Sequence, residues 1–163
     1  CTSSKHLIHS RLMAQVKIYV YDISNGLIRT LPPHLLGGRI DGIWHTSVVV
    51  YGLEYYFGQG ILFELPGNTI HGSPQEIIDM GETEIPSDIF EEYISELREI
   101  FTAESYHLLD NNCNTFTNKV CQFLTGKSLP DHITNLPADF LTTPLGQQFR
   151  PMLESMFGPS RLS

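Results

Sequence analysis

Gly42-Ile43-Trp44-His45-Thr46-Ser47-Val48-Val49-Val50-Tyr51 is the stretch whose reading decides how this chain folds. It is β-branched and aromatic, and it reads as a half-buried strand. Ile43, His45, Ser47, Val49 and Tyr51 share one face, and Trp44, Thr46, Val48 and Val50 share the other. Outward from it, Val16 to Tyr21 reads as a strand ended by Asp22 and the Asn25-Gly26 turn. Glu54 to Phe57 and Ile61 to Leu65 follow after tight glycine-containing turns, which is the spacing of an antiparallel meander. Pro66-Gly67-Asn68-Thr69 breaks the run, and Ile77 to Ile85 supplies one more strand.

The second half changes period. Pro86 and Ser87 open a helix, with Ser87 as the expected N-cap and Ile89, Tyr93, Leu97 and Ile100 as its apolar stripe, widened by Phe90, Ile94 and Phe101. Tyr106-His107-Leu108-Leu109 reads as a short buried strand. A second helix runs from about Cys113 to Leu124, with Phe116, Val120, Phe123 and Leu124 inward and Gly126 at its end. After Pro130 the chain is helical but broken, with Pro137, Pro144 and Pro151 as boundaries. Strands first and helices after argue an α+β fold.

The length of 163 residues sets one domain, able to bury roughly 70% of its unfolded surface. A net charge of −8, spread along the chain, leaves no electrostatic footprint for nucleic acid or anionic lipid. No stretch approaches the roughly 18 apolar residues of a membrane span. Three cysteines cannot close a disulfide set, which favours a reducing compartment. Residues 1–12 read as a vector-derived leader, so Cys1, His6 and His9 carry no functional weight, and residues 159–163 read as a C-terminal tail after a domain spanning 13–158.

Chemistry concentrates at Asn111-Asn112-Cys113-Asn114-Thr115-Phe116, where a cysteine starts a helix behind two capping asparagines. The helix terminus favours a thiolate by about 0.3–1 kcal/mol, less than the 1.36 kcal/mol that moves a pKa by one unit. An imidazole must supply the rest. His45, held on a rigid strand, is the best placed. His34 and His132 read as solvated loop residues, His71 as a rim residue in a Gly/Pro-rich loop, and His107 as core or interface. Cys121, between Val120 and Phe123, reads as a small core residue. Eight residues of helix, about 12 Å of rise, separate it from Cys113, too far for a disulfide. No C-x-x-C or H-x-x-x-H pairing and no phosphate-binding glycine signature occurs, so neither metal nor cofactor is expected. The pair Cys113 and His45 points to a cysteine-dependent hydrolase.

Several stretches extend the comparison beyond that pair: VKIYVYDISNGL at 16–27, GIWHTSVVVYG at 42–52, YYFGQGI at 55–61, NNCNTFTNKVCQFLTGKSLP at 111–130 and LPADFLTTPLGQQFRPML at 136–153. In these the chain resembles the PPPDE superfamily of permuted papain-fold peptidases, and within it the desumoylating isopeptidases. The resemblance implies a papain-like fold circularly permuted so that the histidine precedes the cysteine, an antiparallel sheet or barrel packed against helices. It implies Cys113 as nucleophile, His45 as base and later acid, and cleavage at the end of SUMO or a related ubiquitin-like modifier. It also implies a cytoplasmic and nuclear homodimer. Trp44, Asn112 and the glycine-rich loops 55–60, with Gly58 and Gly60, and 66–72 are expected to line a narrow channel for the modifier's tail, although Trp44 and those loops read equally well as structural.

Three other readings stand beside this one. The same dyad would open a protein thioester, as in depalmitoylation. An acyltransferase of the lecithin:retinol type also runs His before Cys, but Asn114 and Thr115 stand where that family has Glu and His. A non-catalytic binding module is the third, with Leu145, Phe149, Met152, Leu153, Met156 and Phe157 as a docking stripe.

Overall fold

Alternating apolar and polar residues build five strands: β1 (Ala14–Asp22), β2 (Trp44–Val50), β3 (Leu53–Gly58), β4 (Gly60–Glu64) and β5 (Glu76–Thr83). They form one antiparallel sheet in the order β4-β3-β2-β1-β5. The computed structural model describes residues 13–162, so the leader expected over 1–12 lies outside the described residues. The turn between β2 and β3 is two residues long, Tyr51 and Gly52, both at positive φ (52° and 78°). That is the primed geometry whose twist matches the flanking strands. Asp22 closes the other end of β2. Its carboxylate accepts the N–H groups of Ser24, Gly26 and Ile43, so the loop leaving β1 and the chain entering β2 share one anchor.

The helices are α1 (Leu27–Thr30), α2 (Ser87–Leu97), α3 (Cys113–Thr125), α4 (Asp131–Thr134), α5 (Leu136–Leu141) and α6 (Pro144–Phe157), with a 3-10 turn at Pro33–Leu36. α2 and α3 cover one face of the sheet. Phe90, Ile94, Leu97, Phe116 and Val120 pack there on Val16, Ile18, Val20, Val48, Val50, Tyr55 and Phe57. Fully burying each large side chain stabilises by roughly 1.5–3 kcal/mol before conformational entropy is counted. A smaller cluster, Leu109, Leu141 and Leu153, joins α5 and α6 to the segment before α3. No helix among the described residues is long and apolar enough to cross a membrane.

Four local expectations are corrected. Pro86, not Ser87, caps α2, because the extended Pro86 supplies the carbonyl that accepts the Phe90 N–H. The buried stripe of α2 is Phe90, Ile94 and Leu97, continued by Phe101, while Ile89 and Ile100 are exposed and Tyr93 stacks on Phe123. Residues 106–109 form no strand. His107 Nδ1 accepts the N–H groups of Leu109 and Asp110, folding the apolar run into a turn that ends in an isolated bridge to Asn111. Pro151 does not end a helix but lies inside α6.

Within the expected tail, Ser160, Arg161 and Leu162 are hydrogen-bonded to the domain. Ser160 Oγ and the Arg161 N–H donate to the Asp110 carboxylate, and Arg150 donates to the Leu162 carbonyl.

Candidate active site

The start of α3 is built by its cap. Asn112 adopts extended backbone, and its side-chain oxygen accepts the N–H groups of Asn114 (2.9 Å) and Thr115 (3.2 Å). Thr115 Oγ1 returns the favour by accepting the Asn112 N–H at 3.1 Å, completing a capping box. Cys113 is therefore the first residue of a rigid thirteen-residue helix, at the positive end of its dipole. Its side chain is buried.

Asn114 fastens this helix end to β2. Its Nδ2 donates to the Trp44 carbonyl at 2.9 Å, and its Oδ1 accepts the Thr46 hydroxyl at 2.7 Å. The two contacts bracket His45. Thr117 adds a bond from its hydroxyl to the Thr46 carbonyl. The sulfur of Cys113 lies against Asn114 Oδ1 at 3.7 Å. Burial pushes the Cys113 thiol up to about 11. The backbone N–H groups of Thr46, Asn114 and Cys113 itself, and the Tyr106 hydroxyl, pull the other way. Those donors are arranged for negative charge beside the sulfur.

His45 points to the opposite face of the sheet. There it sits among Tyr21 (ring centroids 5.8 Å apart), Tyr56 (5.7 Å) and His71, on which it stacks at 3.8 Å and 25°. Among the described residues no hydrogen bond joins its ring to the Cys113 sulfur, and its Nε2 is buried with no partner. Burial, with the neighbouring His71 adding to it, brings His45 down to about 3. Both members of the expected pair are therefore neutral in this state.

The same face holds a carboxylate that sequence reasoning missed. Glu54 is fully buried and accepts Tyr21 Oη (2.5 Å), Ser47 Oγ (2.5 Å) and the Gly67 N–H (2.9 Å). The signal was present in the alternation: Glu54 pairs with Val49, which shares the His45 face. What hides it from solvent is the 66–72 loop. Tyr106 escapes sequence reasoning too, because by composition it belongs to a short buried strand.

An apolar groove of about 320 Å³ opens beside the cysteine, lined by Trp44, Tyr106, Cys113, Leu136, Phe140 and Phe149 among others. A second cavity of about 760 Å³ adjoins it and shares Asn112 and Asn114 as walls. Of the residues expected to line a channel, Trp44 and Asn112 border this groove. Gly58 and Gly60 form the β3–β4 hairpin turn instead and are not among its walls. His34 and His132 are exposed, each in a short helical turn, and His107 is buried with Nε2 bonded to the Gly158 carbonyl. Cys121 is buried in the core.

Residues 14–154 match a family model described as "PPPDE putative peptidase domain". The chain is 52% identical over 143 residues to "Desumoylating isopeptidase 1" of Xenopus laevis, and 50% identical over 143 residues to the protein of that name in Homo sapiens; each match covers 86% of this chain and 85% of the relative. It is 30% identical over 131 residues to "DeSI-like protein sdu1" of Schizosaccharomyces pombe, covering 75% of this chain and 63% of that protein. The chain belongs to the PPPDE peptidase family.

Proposed function

We propose that this chain is a cysteine isopeptidase that removes SUMO, or a related ubiquitin-like modifier, from conjugated lysines. The observation that carries the reading is Cys113, buried at the start of a capped helix and ringed by N–H donors, on an element that Asn114 clamps to both sides of His45. The names of the relatives supply the substrate class.

Because thiol and imidazole are both neutral at rest, the nucleophile is made on demand. As the modifier's terminal glycine carbonyl seats, His45 keeps its stack on His71 and exchanges a proton with Cys113 around the edge of β2, which β3 pairs only from Val48 onward, with one water as the bridge. The Cys113 proton passes to His45 while Sγ bonds to the carbonyl carbon. The oxyanion is received by the Cys113 N–H and the Tyr106 hydroxyl. His45 then protonates the departing lysine amine as the C–N bond breaks, leaving a thioester. Water, deprotonated by His45, attacks that thioester and restores the Cys113 thiol. This reading carries with it a circularly permuted papain topology and a cytoplasmic and nuclear homodimer.

A second reading has its own observation. The groove beside Cys113 is walled by Ile23, Ile28, Leu36, Phe140, Leu145 and Phe149, surroundings suited to an acyl chain, so a protein S-acyl thioesterase would use the same dyad.

The test sets the full chain against electrophilic C-terminal probes of SUMO and ubiquitin, with a palmitoyl-thioester reporter alongside. An adduct with a modifier probe, lost in Cys113→Ala but kept in Cys121→Ser, is the expected result. His45→Ala abolishes turnover, and Tyr106→Phe lowers kcat by about 10²–10³-fold. Thioester turnover with no modifier adduct moves the assignment to the second reading. Silence towards both, or full activity in Cys113→Ala, overturns a catalytic role and leaves a binding module.

A further inference from the structure

His45 lacks what usually orients a catalytic imidazole. One ring nitrogen of such a residue normally faces the nucleophile while the other is held by a carboxylate or amide. Here Nε2 is buried and unpartnered. The nearby carboxylate of Glu54 is already engaged by Tyr21, Ser47 and the Gly67 N–H. What does touch the ring is the His71 imidazole, stacked at 3.8 Å and nearly parallel, with Tyr21 and Tyr56 on its other sides. Tyr56 and Tyr21 flank His71 too, each at 5.6 Å.

We propose that His71 is a positioning residue for His45: its stacked ring does the orienting that a hydrogen-bonded third residue would do, and its own protonation shuts the site off in acid. The inference rests on the isopeptidase reading of Cys113 and His45.

The loop that carries His71 is built to hold the stack. Glu54 fixes the loop at Gly67, buried Thr69 accepts the His71 N–H at 3.2 Å, and Thr69 Oγ1 lies 3.5 Å from His71 Nδ1. The groups that face His71 come from three strands and the short helix α1. They are Tyr21 of β1, His45 of β2, and Glu54 and Tyr56 of β3, with Asp22 and Arg29 across a polar cavity that His71 also lines. Burial lowers the proton affinity of His71, opposed by Glu54, whereas deeper burial lowers that of His45 much further. As pH falls, His71 therefore takes a proton first. Its charge then sits one ring-thickness from the imidazole that must accept the Cys113 proton, and like charges at that distance oppose each other. Acylation slows for an electrostatic reason although nothing has moved.

The experiment is the pH profile of kcat/KM for modifier-conjugate cleavage by the full chain, compared among wild type, His71→Phe, His71→Ala and His71→Lys. His71→Phe keeps a ring in the stack and removes the charge, so its acid limb moves to lower pH by about one unit. His71→Ala removes the stack and lowers kcat by about tenfold or more at every pH, as loosened positioning does. His71→Lys puts a permanent charge there and depresses kcat at neutral pH. Thermal melts of each variant separate these effects from misfolding, and His71→Phe serves as the conservative rescue. An acid limb in His71→Phe that superimposes on wild type, together with wild-type kcat in His71→Ala, overturns the inference. That outcome is distinct from failure of the isopeptidase reading, which shows as no Cys113-dependent cleavage in the wild-type chain.

Discussion

The two faces of this sheet are made by the same strands and do opposite work. On the face under α2 and α3, Val16, Ile18, Val48, Val50, Tyr55 and Phe57 meet Phe90, Ile94 and Phe116 in a dry core. On the other, Tyr21, His45, Ser47, Glu54 and Tyr56 meet a loop carrying Thr69 and His71. The first face is held by area and shape. The second is held by three donors on one carboxylate and by stacked rings. Alternation along β2 assigns each residue to one of these environments, so a single strand hands Thr46 to the cysteine helix and His45 to the polar cage.

The comparison can be broken from either side. Phe116→Ala strikes the dry face and is expected to cost about 3–5 kcal/mol in urea unfolding, since a fully buried ring leaves a cavity. A loss below about 1 kcal/mol would mean that the helix layer is loosely packed. Glu54→Ala strikes the polar face. Two hydroxyls and the Gly67 N–H lose their shared acceptor, at a cost of about 2–4 kcal/mol. Near-neutrality there would show that water reaches the cage.

Acid should separate the faces without any mutation. His45 is depressed from 6.5 to about 3 in the folded chain, so below pH 6.5 the unfolded chain binds a proton that the folded chain refuses. Stability therefore falls with pH, by about 2 kcal/mol from this residue at pH 5. Urea unfolding of wild type and His45→Gln at pH 7 and pH 5 measures it, and equal slopes in both would remove His45 as the cause. The smallest effect belongs to the seam: Asn112→Ala removes the α3 cap and costs about 1 kcal/mol. A full-length α3 of unchanged stability in that variant would mean that the Asn114 clamp alone sets where the helix starts.

Much of this was legible in the chain itself. Period-2 runs located the strands to within a few residues, and the Asn-Asn-Cys signal placed the start of α3 because a cap is a local device. The failures share a cause. Residues 106–109 look like a strand by composition, but an imidazole nitrogen accepting two backbone N–H groups outbids that pattern. Glu54 looks like a surface acid until the 66–72 loop folds over it, and His71 looks like a rim residue until its ring is seen to stack. Each depends on a contact between segments far apart in sequence, which no local period encodes. Pro151 reads as a breaker, yet it lies within α6, exposed, on a helix that its neighbours hold by packing.

Trp44 is the chain's single tryptophan, and it stands in the groove wall beside Cys113 with His132 edge-on to its indole at 6.4 Å. A Cβ at Gly42 would meet that indole at 2.6 Å, so the ring has its seat reserved by the absence of a side chain. Excited at the red edge of the absorption, where the seven tyrosines stay dark, the fluorescence of this protein is thus a one-site signal. Anything that enters the groove changes the polarity around the one indole, and a titration needs neither dye nor tag.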